Sequence, residues 1–207
     1  MGAPRKVKIA LAAAAATAAI AISATAAIAN WRDEATDYDI NRLQLLEQWR
    51  DQALHQVQTY SDSRGDFAVL KSVMEPQGHI VPAKALVGNW RCRNMKMGGV
   101  NAFIVYPQWY PCHVSVQNGA LFFQKKAGSI RTQGMLYPEN GAWIYLGAAS
   151  TTGEPWHTYS GRHPSLGAAA TPDDQIGLLS GIGNNHLRLE IPGPVLESTY
   201  DIIELER

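Results

Sequence analysis

The densest stretch of groups able to do chemistry in this chain runs from Thr151 to Gln175. His157 and His163 lie there near Glu154, Asp173 and Asp174, and imidazole with carboxylate is a donor set for zinc or for acid–base work. Their spacing matches no helix-borne pair of histidines, so a solvated polar loop is expected. Gly161-Arg162-His163-Pro164-Ser165-Leu166-Gly167 sets a serine near glycine. His163, however, stands where a nucleophile elbow needs glycine, and Pro164 obstructs the strand-to-helix turn. Gly177, Gly181 and Gly183 fall in no phosphate-cradling pattern. No catalytic residue, metal site or cofactor is expected.

Cys92 and Cys112 are the chain's two cysteines. In an oxidising compartment such a pair implies a disulfide, here closing a loop of about 21 residues and contributing roughly 3 kcal/mol. Neither the C-x-x-C spacing of redox pairs nor the four ligands of a zinc site are present. Arg91, Arg93, Arg131, Glu197, Asp201 and Glu204 are charged residues on or beside apolar segments. What they do depends on the elements that carry them.

Those elements begin with a helical region. Thr36 and Asp39 have capping-box spacing. Leu43, Leu46, Trp49, Ala53, Val57 and Tyr60 recur at three- and four-residue steps, predicting a helix over 36–60 with one apolar stripe and with Arg42, Glu47, Arg50, Asp51 and Gln52 on its other faces. Ser61 to Gly65 breaks the pattern, a shorter helix after Asp66 buries Phe67, Leu70 and Met74, and Glu75 to Lys84 reads as a linker. After Leu86 the period becomes 2, with Gly, Pro, Asn or Asp bounding each run. Eight strands are expected: Gly88–Met97, Phe103–Tyr106 continuing as His113–Val116, Leu121–Lys125, Ile130–Tyr137, Trp143–Leu146, Ile176–Ile182, His186–Ile191 and Thr199–Leu205. The organisation is then 1–29 signal peptide, 30–84 helical arm and linker, and 85–207 antiparallel domain. The fold class is α+β, with a helical arm before an eight-stranded up-and-down β-barrel, since closure leaves no exposed edges; an open sandwich is the alternative.

Leu86-Val87-Gly88-Asn89-Trp90 resembles the Gly-x-Trp opening of lipocalin and avidin-like barrels, where the Trp plugs one end. Longer blocks resemble an uncharacterised bacterial exported family, domain of unknown function 4893. They are Gly88-Asn89-Trp90-Arg91-Cys92-Arg93, Lys96-Met97-Gly98-Gly99, Tyr106, Pro111-Cys112, Gly128 to Pro138, Tyr145-Leu146-Gly147-Ala148, and Leu187-Arg188-Leu189-Glu190-Ile191-Pro192 through Glu197-Ser198 to Ile203-Glu204-Leu205. Ile130 stands where that family carries Gln. The resemblance implies one exported unit with a helical N-terminal part, and no chemistry.

A closed barrel turns about half of its strand residues inward. If the barrel is hollow, Arg131 is the expected polar anchor, gripping a carboxylate or phosphate with two hydrogen bonds, and Trp90 and Tyr145 are apolar lining. If it is packed, Arg131 pairs with Glu197 or Glu204. Arg5, Lys6 and Lys8, an apolar run from Ile9 to Ile22 and Ala27-Ile28-Ala29 before Asn30 follow the plan of a secretory signal, which places the mature protein in the periplasm or outside the cell. The full chain balances 18 basic against 18 acidic residues. Losing the signal leaves it slightly acidic, with no general hold on nucleic acid and no membrane span. The expected function is non-catalytic: capture of a small amphipathic ligand, or contact with an envelope protein. The alternatives are a periplasmic protease inhibitor, or a hydrolase or metal-binding protein using the 151–175 loop.

Overall fold

A computed structural model describes Gly2 and residues 30–60, 64–101, 103–162 and 171–207. The expected signal segment and its cleavage position, residues 61–63 of the helix break expected over 61–65, His163 and Ser165 lie outside the described residues, and the last two residues of that break are already helical. Among the described residues five α-helices come first: α1 (Trp31–Glu34), α2 (Asp37–Gln44), α3 (Leu46–Tyr60), α4 (Arg64–Met74) and α5 (Ala83–Leu86). Nine strands follow: β1 (Gly88–Met97), β2 (Phe103–Val105), β3 (Tyr110–Gln117), β4 (Ala120–Lys125), β5 (Ile130–Glu139), β6 (Ala142–Thr151), β7 (Asp174–Gly183), β8 (His186–Pro192) and β9 (Tyr200–Glu206).

The sheet is antiparallel and closed, because β1 pairs with β9 as well as with β3. Eight strands form the ring and β2 is an addition to it. The broken second strand of the sequence pattern is two strands that share one edge of β1. β3 takes residues Gly88 to Cys92 of that edge, and β2 takes Met95 to Met97. Pro107, which has no N–H to give a ladder, lies in the excursion between them.

Alternation sorts the side chains. Trp90, Cys92, Val114, Phe123, Leu136, Trp143, Leu189 and Leu205 meet inside the barrel as one buried cluster. The opposite faces of β1, β2 and β9 carry Met95, Met97, Phe103 and Ile202, which pack against Leu46, Ala53 and Val57 of α3 and Leu70 and Val73 of α4. The helical region therefore lies on the barrel's outer wall through its predicted apolar stripe.

The single helix expected over 36–60 is divided at Leu45, whose N–H caps α2 on Asn41 O at a non-helical ψ. The division lets α2 contact β7 while α3 contacts β1, β8 and β9. Thr36 Oγ1 accepts from Asp39 N at 3.1 Å and donates to Asp39 Oδ2 at 2.7 Å. Asp39 does not reach back to Thr36 N as a Glu would; that N–H donates to the Tyr159 hydroxyl at 2.9 Å.

Two arginines on the helices' polar faces are not solvated. Arg42, 1% exposed, pairs with Asp39 and donates to Asp174 O and Gly193 O. Arg50 binds the fully buried Glu190, which also accepts from the Tyr200 hydroxyl. Removing Asp39 would leave Arg42 an uncompensated charge against the barrel wall, whereas Glu190 would keep the buried Arg188, 3.0 Å away, if Arg50 were removed.

The stretch expected as a linker is also attached. His79 exchanges both backbone hydrogen bonds with Gly181 of β7, and α5 then leads into β1.

Candidate ligand site at the open end of the barrel

The two ends of the barrel differ because the inward files of β1 and β4 change character along their length. β1 turns Trp90 and Cys92 inward, then Asn94 and Lys96. β4 turns Leu121 and Phe123 inward, then Lys125. The register sets Lys96 opposite Asp201 of β9, and Lys125 opposite Cys112 and Thr132. Both lysines are buried, at 8% and 3% exposure.

At the Trp90 end the barrel is shut. The Trp90 indole donates to Leu86 O at 2.8 Å, and the Arg207 guanidinium lies 4.0 Å over its ring while bonding Ala85 O and Val87 O. Trp143 donates to Val81 O at 2.9 Å, drawing the segment before α5 across the same end. Tyr145, fully buried, lies across the barrel as a partition, edge-on to Phe123 at 5.9 Å. It fits because Gly134 and Gly147 face inward beside it, where a Cβ would overlap its ring. Its hydroxyl shares a 2.7 Å hydrogen bond with Thr132 Oγ1 on the far side of that partition.

Beyond Tyr145 the interior is open and polar. One cavity of about 160 Å³ is lined by Asn94, Lys96, Thr132, Gln175, Asp201 and neighbouring residues. A second, of about 190 Å³, shares Asn94, Lys96, Ile130 and Glu197 with it and adds Tyr110 and Lys125. Each has room for about five or six water molecules at ~30 Å³ apiece. Asn94 Oδ1 is buried there with no hydrogen-bond partner among the described residues.

The charges in this space are unevenly matched. Burial opposes the charge of Lys96, but Asp201 and Glu197 outweigh it and hold the ammonium above its ordinary value. Burial pushes the Asp201 carboxyl up to about 6, against the pull of Lys96 and a hydrogen bond from Ser198. Lys125 is held by neutral acceptors, Ala127 O at 2.8 Å and Ile130 O at 2.6 Å, and sits 4.9 Å over the Tyr110 ring. Burial, and then the neighbouring Lys96, push it down to about 8.

The model of a family described as a domain of unknown function, DUF4893, matches residues 31–205. The chain belongs to that family. No curated protein and no solved structure matches it. The DUF4893 match begins in α1 and ends in β9, so it takes in the outer helices, the ring of strands and the polar cavities alike.

Of the residues expected at a site in this DUF4893 chain, Trp90 and Tyr145 are inside the barrel, one in the shut end and the other as the floor of the open one. Arg131 is not inside. It occupies the outer face of β5, donating to Thr151 O and Glu154 O and stacking 4.2 Å over Trp156; neither Glu197 nor Glu204 is its partner. The one-residue difference in parity between Arg131 and the inward Thr132 is the reason. Arg91 and Arg93 also face outward, with Trp109 between them and the carboxylates of Glu206 and Glu204 as partners. His186 joins Glu204 at 2.7 Å, so the His186, Glu204 and Glu206 group is a cross-strand charge ladder shared with two arginines.

Cys92 and Cys112 form the expected disulfide, on adjacent strands with Cα atoms 6.0 Å apart. In the long loop His157 and Asp173 pair at 3.0 Å, and Ser160 and Thr171 both donate to Asp174, which straps the loop to the start of β7.

Lys96, Lys125 and Asn94 are the functional candidates that reading the sequence missed. The signal was present: Asn94 and Lys96 end a file that begins with Trp90 and Cys92, and Lys125 ends one that begins with Leu121 and Phe123. A lysine on the buried parity of a strand is the departure to look for.

Proposed function

We propose that this protein is an exported binding protein that holds a small acidic molecule in the open end of its barrel. The observation that carries the reading is Lys125, an ammonium buried in a cavity beside a second ammonium and held, among the described residues, by neutral groups. Desolvating a cation without a counter-ion is costly, and perturbed groups of this kind concentrate where ligands bind. An acidic group placed between Lys96 and Lys125 would compensate both, and a donor on the same molecule would satisfy Asn94 Oδ1. The Trp90 closure at the opposite end supports the likeness to lipocalin-type barrels, which keep one end shut and one open. The disulfide supports an oxidising compartment, in keeping with the secretory plan of the first 29 residues.

Protein purified from its own cell envelope and sprayed under native conditions is expected to carry a small molecule that denaturation releases. A Lys96→Met, Lys125→Met double variant prepared the same way is expected to lack it. Equal retention by the variant would overturn this placement of the site.

A further inference from the structure

Resting on that reading, we infer that Glu197 is a built-in competitor for the ligand's acid group, seated on Lys96 in the free protein and displaced when a carboxylate or phosphate binds. Glu197 comes from the connection between β8 and β9, which passes over the open end, and it lines both cavities. Its carboxylate pairs with the Lys96 ammonium. The two partners are unequal: the Lys96 side chain is 10% exposed and fixed in the barrel wall, whereas the Glu197 side chain is 52% exposed. A pair with one partner this solvated breaks at little cost.

The backbone beneath that side chain is fixed. Glu197 adopts a left-handed conformation with φ of 72°, unusual for a residue with a Cβ, and its carbonyl accepts from Val100 N at 2.9 Å. Gly99 lies so close to the same carbonyl that a Cβ there would overlap it. The β1–β2 turn and the β8–β9 connection are thus clamped together, and they aim one carboxylate into the mouth. That carboxylate is half exposed at the mouth, so solvent is there to receive it when it leaves Lys96. Asp201 also faces Lys96, but it is buried and tied to Ser198 and has no such route out. Exchange of one carboxylate for another keeps the Lys96 ammonium paired in both states.

Calorimetric titration with two probes, butyrate and inorganic phosphate, tests the inference and separates the two sources of acid group. Wild type, Glu197→Gln and Lys96→Met are compared, with 1-butanol as the uncharged control. Glu197→Gln is expected to bind the preferred acid about three- to tenfold more tightly than wild type, Lys96→Met to lose binding, and butanol to discriminate among none of them. Glu197→Ala, which also removes the carboxylate, is expected to repeat the gain. Unchanged or weaker binding by both Glu197 variants, with wild type binding normally, would overturn the competitor role and leave the site standing. Failure of folded wild type and folded Glu197→Gln alike to bind either acid would overturn the binding reading and this inference with it.

Discussion

The shut and open ends of the barrel are built from the same strands and satisfy their polar groups in opposite ways. At the shut end the polar side chains that close it have fixed protein partners: the Trp90 and Trp143 indoles bond backbone carbonyls, and Arg207 bonds two more while covering the Trp90 ring. At the open end, among the described residues, Lys125 has only neutral acceptors and Asn94 Oδ1 has no partner, while Asp201 is a carboxyl held up by burial. The first pattern is that of groups placed for stability. The second carries a standing desolvation cost, and sites kept for function are where folded proteins tolerate such cost.

The two ends should therefore respond with opposite sign to removal of their central side chain. Trp90→Ala has the largest expected effect. It leaves a void under Leu86 and removes the surface on which Arg207 rests, and is expected to destabilise by about 3–5 kcal/mol in urea unfolding. A loss below about 1 kcal/mol would mean that the shut end is not a packed core.

Lys125→Met has the smaller effect and the opposite direction, an expected gain of about 1–3 kcal/mol at pH 7. The sign follows from the lowered folded-state value. Below about pH 8 the ammonium is charged in both folded and unfolded chains, so the folded chain bears the full cost of burying it. Between about 8 and the unfolded value near 10.5 the folded chain gives up its proton first, stability rises, and the advantage of Met shrinks. A lower melting temperature for Lys125→Met at pH 7 would show that its bonds to Ala127 and Ile130 outweigh the desolvation, and would erase the contrast between the ends.

The same contrast explains what could be read from the sequence. Strands in which apolar and polar residues alternate stood out: β1 spans Gly88–Met97 as the alternation predicts, and β8 begins at His186 as expected. β6 was expected to stop at Leu146, yet it runs to Thr151 through Gly147-Ala148-Ala149-Ser150. Those small residues have little strand propensity of their own. They are strand because Gly147 must leave room for Tyr145 and because β5 supplies partners as far as Ile130.

The site was harder to read for a related reason. The arginines beside apolar segments are the conspicuous charges in the sequence, but the chain places Arg91, Arg93 and Arg131 on outward parity, where they find carboxylates, carbonyls and indole rings. The inward cations are lysines that close otherwise apolar files. Only the pairing register shows that Lys96 and Lys125, 29 positions apart in the chain, approach one end of one cavity. Arg42 shows the converse: it falls on the polar side of a helical pattern, yet it is enclosed, because the barrel wall covers that side.

The most direct test of the difference between the ends is the titration of Lys125 itself. Lysine ¹³Cε chemical shifts, assigned through Lys125→Arg, are followed from pH 6 to 12 in ligand-free protein and again with a saturating acid. The uncompensated ammonium of the open end predicts a midpoint of about 8 in the free protein, moving upward when the acid binds beside it. A midpoint near 10.5 that does not move on adding acid would contradict the account: Lys125 would then be an ordinary solvated lysine, and the open end would hold no buried charge awaiting a partner.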